Sequence, residues 1–102
     1  MTRSTTLGNA PSFGFGDRLG SATPGHLRAL RDHGGPIAGI FAQQSIREMT
    51  RTQRTPEAVM DAAVSALDAA GFDRPWGSDA DHLKTPGDVD ATAAAGFVFF
   101  TI

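Results

Sequence analysis

Side chains capable of acid–base or metal chemistry crowd into one short segment, residues 76–84. They are Asp79, Asp81, His82 and Lys84. If the segment is a strand, alternation sends Asp79 and Asp81 to the same face, where buried carboxylates would need a cation, a proton or a ligand. An imidazole and a carboxylate can bind a transition metal, and a carboxylate can also act as a general base. The segment therefore predicts a functional site, in which Lys84 could hold a substrate carboxylate or phosphate.

Two more polar groups follow extended runs of the sequence. Asp17 and Arg18 end the first run, and Gln43 and Gln44 end the second. In α/β folds ligands bind where strands lead into helices, so we expect these four residues and Asp79 to contact substrate at one shared rim. Structural alternatives stay open. The first pair could form an exposed turn, the two amides could be satisfied by backbone groups, and the charged segment 45–51 could be a solvated helical turn.

The sequence provides too few residues for a complete metal site. A catalytic metal usually needs three protein ligands, and His82 is the one histidine in the polar cluster. His26 and His33 fall on the first predicted helix and are expected at the surface. A calcium-binding loop, a phosphate-binding loop, a zinc-protease helix and a nucleophile elbow are all absent. If a divalent metal binds, its remaining ligands are predicted to lie outside this sequence.

Three helices are predicted, each with a start and a stop signal. The starts are Thr23-Pro24, Thr55-Pro56 and Thr85-Pro86, and the stops are Gly34, Gly71 and Gly96. A threonine hydroxyl can accept a hydrogen bond from an N–H of the first turn, where proline sacrifices no bond. Asp88, three residues after Thr85, favours a capping box. A glycine ends a helix by adopting the left-handed conformation.

Extended runs precede, separate and follow the three helices, so the order is β-α-β-α-β-α-β in steps of about 30 residues. This spacing predicts four parallel strands joined by right-handed crossovers. We interpret residues 12–102 as half of a (β/α)8 barrel, truncated at its fourth strand, since a whole barrel has roughly 250 residues. A doubly wound open sheet is the alternative. Residues 1–11 are expected to be flexible.

Composition excludes several classes of partner. The 102 residues are 40% hydrophobic and 20% charged with a net charge of −2, which gives no electrostatic reason to bind nucleic acid or an anionic membrane. No apolar run is long enough to cross a bilayer, and the first residues lack the apolar core of a secretory signal. The absence of cysteine fits a cytoplasmic protein.

Three blocks of the sequence together resemble the tagaturonate epimerase family. They are "FGFGDRLGSATPGHLRAL", "FAQQSIREMTRTQRTPEAVMDAA" and "DADHLKTPGDVDATAAAGFVFFTI", and the resemblance runs from about residue 12 to residue 102. It implies a longer protein that epimerises D-tagaturonate to D-fructuronate with a divalent metal. By resemblance Asp81 would be the catalytic base and His82 one metal ligand, with the other ligands beyond residue 102.

The resemblance therefore implies the amino-terminal part of a metal-dependent epimerase of keto sugar acids, expected to be inactive as an isolated chain. Position and chemistry, rather than the family, suggest that Lys84 and Arg18 neutralise the substrate carboxylate and that Gln43 and Gln44 orient substrate hydroxyls. A metal-dependent aldolase or isomerase of another keto sugar is a second hypothesis. A third is a non-catalytic half-barrel that associates with a partner or a second copy through its exposed strand edges.

Overall fold

The computed structural model describes residues 1–102 and contains one four-stranded parallel sheet in the order β1-β2-β3-β4. Its elements are β1 (Ser12–Gly16), α1 (Thr23–His33), β2 (Ala38–Ser45), α2 (Ile46–Arg51), α3 (Pro56–Ala69), β3 (Trp76–Asp81), α4 (Pro86–Ala94) and β4 (Phe99–Phe100). The predicted fold class, parallel strands alternating with helices, is confirmed. The three predicted helices are present, and the charged segment after β2 forms a fourth, short helix. No helix has both the length and the apolar character to cross a bilayer.

Successive strands are added to the same edge of the sheet, in the order in which they occur in the sequence. Each strand pairs with its neighbours in the sequence, so the sheet has no point at which the order reverses. Right-handed crossovers that all advance in one direction place their helices on the same face of a sheet. A doubly wound sheet needs a reversal to cover both faces, and this chain shows none.

Helix starts follow the predicted chemistry at two of the three sites. The Thr55 hydroxyl accepts a hydrogen bond from the Ala58 N–H, and Thr85 with Asp88 forms a complete capping box. The first helix was predicted wrongly in this detail, because its N-cap is Ala22 and Thr23 is already helical. Thr23 is 3% exposed, so its side chain is packed inside the protein instead of capping the helix.

Helix ends also match at two of three sites. Gly71 and Gly96 adopt the predicted left-handed conformation, with φ of 65° and 99°. After α1 the left-handed residue is Gly35, with φ of 57°, whereas Gly34 has φ of −80° and continues the helical conformation. The first helix therefore turns one residue later than predicted.

An aromatic cluster anchors the middle of the sheet. Phe41 on β2 stacks on Phe15 of β1 at a centroid distance of 5.5 Å and meets the edge of Phe72 at 5.7 Å. Trp76 of β3 lies 6.4 Å from the same ring. Phe41, Phe72 and Trp76 form the buried core together with the apolar faces of α1 and α3, and the partly buried Phe15 packs against it. Because close packing resists sliding, the core fixes how far each strand extends toward its carboxyl end.

The first eleven residues form no helix or strand, but several contact β3. The Thr5 N–H donates to the Trp76 carbonyl at 2.8 Å, and the Trp76 indole N–H donates to the Thr2 hydroxyl at 2.8 Å. The Ser4 and Ser78 hydroxyls share a hydrogen bond of 2.6 Å. These contacts tie the segment to the sheet, and its predicted flexibility stays a prediction.

Strand register brings the carboxyl ends of three strands to one level. Gly16 of β1 pairs with Gln43 of β2, and Gln43 in turn pairs with Asp79 of β3. Ser45 pairs with Asp81 two residues further along. The register shifts before Gln43 on both of its sides, as a bulge does. Bulges re-aim side chains near functional sites, and here the shift lies directly below the polar residues.

Candidate functional site

A single open cavity of about 650 Å³ lies at the carboxyl ends of β1, β2 and β3. Six of the eight predicted site residues line it: Asp17, Arg18, Gln43, Gln44, Asp81 and His82. The geometric expectation that residues from three strand ends share one rim is therefore confirmed. Asp79 and Lys84 do not line the cavity.

Asp81 and His82, at the end of β3, bring a carboxylate and an imidazole together in the cavity. The Asp81 Oδ1 atom lies 3.4 Å from the His82 Nδ1 atom. This carboxylate oxygen is buried and has no hydrogen-bond partner. A buried polar atom without a partner is rare in folded proteins because desolvating it is unfavourable. Asp81 therefore has an oxygen available for a ligand, a proton or a cation, while His82 remains 63% exposed beside it.

The backbone of His82 is strained. Its φ is 57°, in the left-handed region that residues other than glycine seldom adopt. Histidine tolerates this region better than most residues, but the conformation still lies above the ordinary minimum in energy. The turn comes directly after β3 and leaves the imidazole at the cavity instead of in line with the strand. Such strain is concentrated at functional sites in proteins generally.

Asp79 lies outside the cavity lining but contacts a residue that belongs to it. The Gln43 side-chain N–H donates to Asp79 Oδ2 at 3.0 Å, and the Thr101 hydroxyl donates to Asp79 Oδ1 at 2.9 Å. Both oxygens of Asp79 thus have partners in the protein. Asp79 orients Gln43, whose carbonyl oxygen has no hydrogen-bond donor within the chain. Direct contact between Asp79 and substrate stays a prediction.

Asp17 organises the loop between β1 and α1. Its carboxylate accepts hydrogen bonds from the backbone N–H groups of Leu19 (3.2 Å), Gly20 (2.8 Å) and Ala22 (3.0 Å). Burial would raise the pKa of the Asp17 carboxyl, but the backbone hydrogen bonds outweigh burial and hold the pKa below its usual value of 3.8. The structure therefore shows a loop-holding contact for Asp17, and its predicted contact with substrate stays a prediction.

Both ends of the Gln44 side-chain amide are also hydrogen-bonded to protein groups. Its side chain is 3% exposed, its N–H donates to the Arg18 carbonyl at 3.1 Å, and its carbonyl oxygen accepts from the Arg54 guanidinium at 2.9 Å. The amide is thus satisfied on both sides by protein groups. The alternative in which backbone groups satisfy the amide thus holds for its N–H, which donates to a backbone carbonyl, but not for its oxygen, which accepts from a side chain. Its predicted role in orienting substrate hydroxyls is not tested by the structure.

Lys84 is the predicted residue that lies furthest from the expected arrangement. Its backbone N–H donates to Asp88 Oδ2 at 3.0 Å, within the capping arrangement at the start of α4. Lys84 is exposed and does not line the cavity. The structure therefore does not bring Lys84 together with Asp81, although they are close in sequence. The role predicted for Lys84 in binding the substrate carboxylate stays a prediction.

Helix α2 provides a cation, Arg47, that is not among the predicted site residues. Arg47 lines the cavity and makes no ion pair with any carboxylate. Glu48, by contrast, lies 3.9 Å from Arg18 and 3.3 Å from Arg51. The alternative of a helical turn for segment 45–51 agrees with its conformation, but Arg47 in that turn also lines the cavity. The position of Arg47 directly after the end of β2 was the signal that could have identified it.

The residues present fit part of a metal site. No group of three or more histidine, aspartate or glutamate side chains is arranged to hold a metal ion. The unpartnered Asp81 oxygen and the His82 imidazole nevertheless converge within 3.4 Å, and these are donor types that divalent transition metals accept. This chain can therefore supply two donors, which is fewer than a catalytic metal needs.

Comparisons with known proteins agree with one another. A family model described as tagaturonate epimerase (UxaE) matches residues 1–102. A protein named tagaturonate/fructuronate epimerase from Thermotoga maritima is 50% identical over 91 residues, which is 89% of this chain and 18% of the relative. The chain is thus similar to a much longer enzyme along nearly all of its own length.

Solved structures give the same result. The glycerol-complexed crystal structure of fructuronate-tagaturonate epimerase UxaE from Cohnella laeviribosi, with two glycerols, matches 98% of this chain at a TM-score of 0.91 and 40% identity. The native crystal structure of the same enzyme matches at 0.89 and 39% identity. In both cases the match covers 20% of that chain, so the present chain spans about a fifth of the length of these relatives.

Proposed function

This chain belongs to the tagaturonate epimerase family, and from that premise we propose that it forms the amino-terminal part of an enzyme that interconverts D-tagaturonate and D-fructuronate. The observation that carries the proposal is the unpartnered Asp81 carboxylate oxygen beside His82, in a cavity that two arginines also line. A keto sugar acid needs such a combination: a base for a hydroxyl proton and cations for a carboxylate.

The proposed reaction inverts a hydroxyl-bearing carbon that lies β to the ketone, so exchange of an α-proton would not be sufficient. The Asp81 carboxylate takes the proton of that hydroxyl, and the bond from its carbon to the carbon next to the ketone breaks. The electron pair of that bond moves to the ketone oxygen as an enolate, while the hydroxyl carbon becomes an aldehyde. After the aldehyde turns its other face, the C–C bond forms again and Asp81 returns the proton.

Asp81 suits the role of base because one of its carboxylate oxygens accepts no hydrogen bond from the protein. Its Oδ1 atom has no donor, so it can accept a proton without first breaking a hydrogen bond. His82 would hold a divalent metal together with ligands from outside this chain. When bound, a divalent metal would stabilise negative charge on the ketone oxygen.

Arg18 and Arg47 are proposed to recognise the carboxylate of the substrate. Both line the cavity, and a guanidinium pairs with a carboxylate through two parallel hydrogen bonds. The carbonyl oxygen of Gln43, held in place through Asp79, could accept a hydrogen bond from a substrate hydroxyl. The proposal thus assigns proton transfer to β3 and carboxylate recognition to the ends of β1 and β2.

The architecture of the whole enzyme is part of the proposal. The four parallel strands in sequential order would form half of a (β/α)8 barrel, and β1 and β4 are the two edges at which further strands would pair. Because no group of three or more possible metal ligands is assembled within this chain, we propose that it has no activity alone. The remaining four-fifths of the length seen in the relatives would provide the other ligands.

The decisive experiment measures interconversion of D-tagaturonate and D-fructuronate by the full-length protein, after chelation and after addition of divalent metals. Activity that depends on the metal, and that Asp81→Asn abolishes while circular dichroism and melting temperature stay unchanged, is the expected result. Asp90→Asn is a matched control, since Asp90 is exposed on α4 and outside the cavity. Undiminished turnover by Asp81→Asn would remove Asp81 from the reaction. Accumulation of a free aldehyde instead of the epimer would indicate an aldolase.

A further inference from the structure

We propose that Arg54 is a positioning residue for substrate recognition, which acts by holding the backbone of Arg18 from behind the cavity wall. This inference rests on the proposed function, because it concerns how the same cavity binds a keto sugar acid. Arg54 lies in the connection between α2 and α3 and does not line the cavity. It therefore can affect the substrate only through the residues that it contacts.

Arg54 closes a compact hydrogen-bond network with two residues of the cavity wall. One guanidinium nitrogen, Nη1, donates to the Arg18 carbonyl at 3.1 Å and to Gln44 Oε1 at 2.9 Å. The Gln44 Nε2 atom donates to the same Arg18 carbonyl at 3.1 Å. The Arg18 carbonyl thus accepts two hydrogen bonds, one from β2 and one from the α2–α3 connection, and this fixes the backbone from which its side chain extends.

The guanidinium is itself held in place. The Arg54 backbone N–H donates to the Met49 carbonyl at 2.8 Å, and its Nη2 atom donates to the Ala58 carbonyl at 3.4 Å. The preceding residue, Gln53, has φ of 56°, a turn conformation that sets the direction of the chain before Arg54. A planar guanidinium with several donors in fixed directions can bridge these acceptors, whereas a lysine ammonium on a flexible stem cannot match all of them.

Gly20 shows how closely the loop and the guanidinium approach. A Cβ atom at Gly20 would lie 2.6 Å from Arg54 Nη2, and Gly20 has φ of 78°. The loop thus passes directly over the arginine, and only a glycine fits there. From the other side, the Asp17 carboxylate accepts the Gly20 N–H at 2.8 Å. Asp17 and Arg54 therefore hold the same loop from two sides.

Loss of the Arg54 contacts should affect substrate binding but not proton transfer. Proton transfer is assigned to Asp81 on β3, which shares no hydrogen bond with Arg54. Loss of the Arg54 hydrogen bonds to the Arg18 carbonyl and to Gln44 should therefore weaken binding of the substrate carboxylate by Arg18 and leave the chemical step almost unchanged. A purely structural role would lower the amount of folded protein without such a separation of KM from kcat.

The test is a double-substitution cycle with Arg18→Ala and Arg54→Ala in the full-length protein, with D-tagaturonate as substrate. We expect Arg54→Ala to raise KM by roughly tenfold, the size expected when a hydrogen bond to a charged group is lost, with kcat within about twofold. Because Arg54 acts through Arg18, the double variant should have a KM no higher than that of Arg18→Ala alone. Arg28→Ala, at an exposed arginine of α1 outside the cavity, is the control and should match the wild type.

Two further measurements keep the test decisive. If Arg54→Ala does not fold, Arg54→Lys replaces it and should give a KM between those of the wild type and Arg18→Ala. Amide hydrogen exchange at Gly20 and Ala22 should be faster in the Arg54 variant and unchanged in Arg28→Ala. If the wild type does not convert D-tagaturonate, the proposed function fails, while the exchange data still decide whether Arg54 holds the loop. Additive effects on KM, an equal loss in kcat, or unchanged exchange would each overturn the inference.

Discussion

The loop between β1 and α1 depends on one carboxylate, so Asp17→Asn is an informative substitution. In the wild type, Oδ1 accepts from the N–H groups of Leu19 and Gly20, and Oδ2 accepts from the N–H of Ala22. Asparagine has nearly the same shape but a single acceptor oxygen. With that oxygen in the Oδ1 position, the new NH2 group would face the Ala22 N–H, where two donors meet without an acceptor.

The magnitude follows from these contacts. A hydrogen bond to a charged group contributes roughly 1.5–3 kcal/mol, and this site is half-exposed, so we expect the closed loop to lose about 1–2 kcal/mol. The pKa of Asp17 is lowered below 3.8 in the folded protein, so its contribution is fully present at neutral pH. As the pH falls through the lowered pKa, the wild-type carboxylate becomes protonated and the advantage over asparagine disappears.

Amide hydrogen exchange at Gly20 and Ala22 measures this local stability directly. At pH 7 a loss of about 1–2 kcal/mol corresponds to exchange roughly 5–30 times faster in Asp17→Asn than in the wild type. At a pH well below 3.8 the ratio should approach unity, with Asp90→Asn as the control at both pH values. A ratio near one at pH 7, or a ratio that stays constant on acidification, would refute the argument that the ionised carboxylate holds the loop.

Three other changes test separate parts of the structure. His82→Ala should weaken binding of a divalent metal to the full-length protein, measured by calorimetry, and an unchanged dissociation constant would exclude His82 as a ligand. Gly14→Ala should displace the flexible amide end of Gln43, because a Cβ there would lie 2.5 Å from Gln43 Oε1, and so break its hydrogen bond to Asp79 with a loss of about 1 kcal/mol; an unaltered urea midpoint would contradict this. Residues 1–102 expressed alone should associate through the edges of β1 and β4 and convert no substrate, whereas a monomeric mass with turnover would contradict both expectations.

Features determined by neighbouring residues were predictable from the sequence. The Thr85 capping box needs only the residues from Thr85 to Asp88, and the structure contains it in full. The glycine stops after α3 and α4 are likewise local. Thr23 failed as a cap because packing in three dimensions, which local sequence does not encode, draws its side chain into the interior. Local rules thus account for the starts and ends of α3 and α4, and they fail at Thr23, where tertiary packing competes with capping.

In the candidate site, too, features that follow from strand order were predictable from the sequence, and features that depend on tertiary contacts were not. Parallel order alone was enough to predict that Asp17, Gln43 and Asp81 share a rim, because all three follow strand ends. The link between Arg54 and the Arg18 carbonyl spans 36 residues and depends on the turn between two helices. No spacing rule indicates it. The same holds for Lys84, which sequence places beside His82 but which lies outside the cavity after the chain turns at the end of β3.

The difference between Asp79 and Asp81 shows what the structure adds to the sequence. Alternation assigns both acids to one face of β3, and their chemistry is identical, so the sequence alone does not distinguish a base from a supporting residue. Asp79 has both oxygens bound, to Gln43 and to Thr101. Asp81 retains a buried oxygen without a donor, beside a strained histidine. Only Asp81 therefore has a buried carboxylate oxygen that no protein donor occupies, so we expect Asp81 and not Asp79 to contact the reacting hydroxyl.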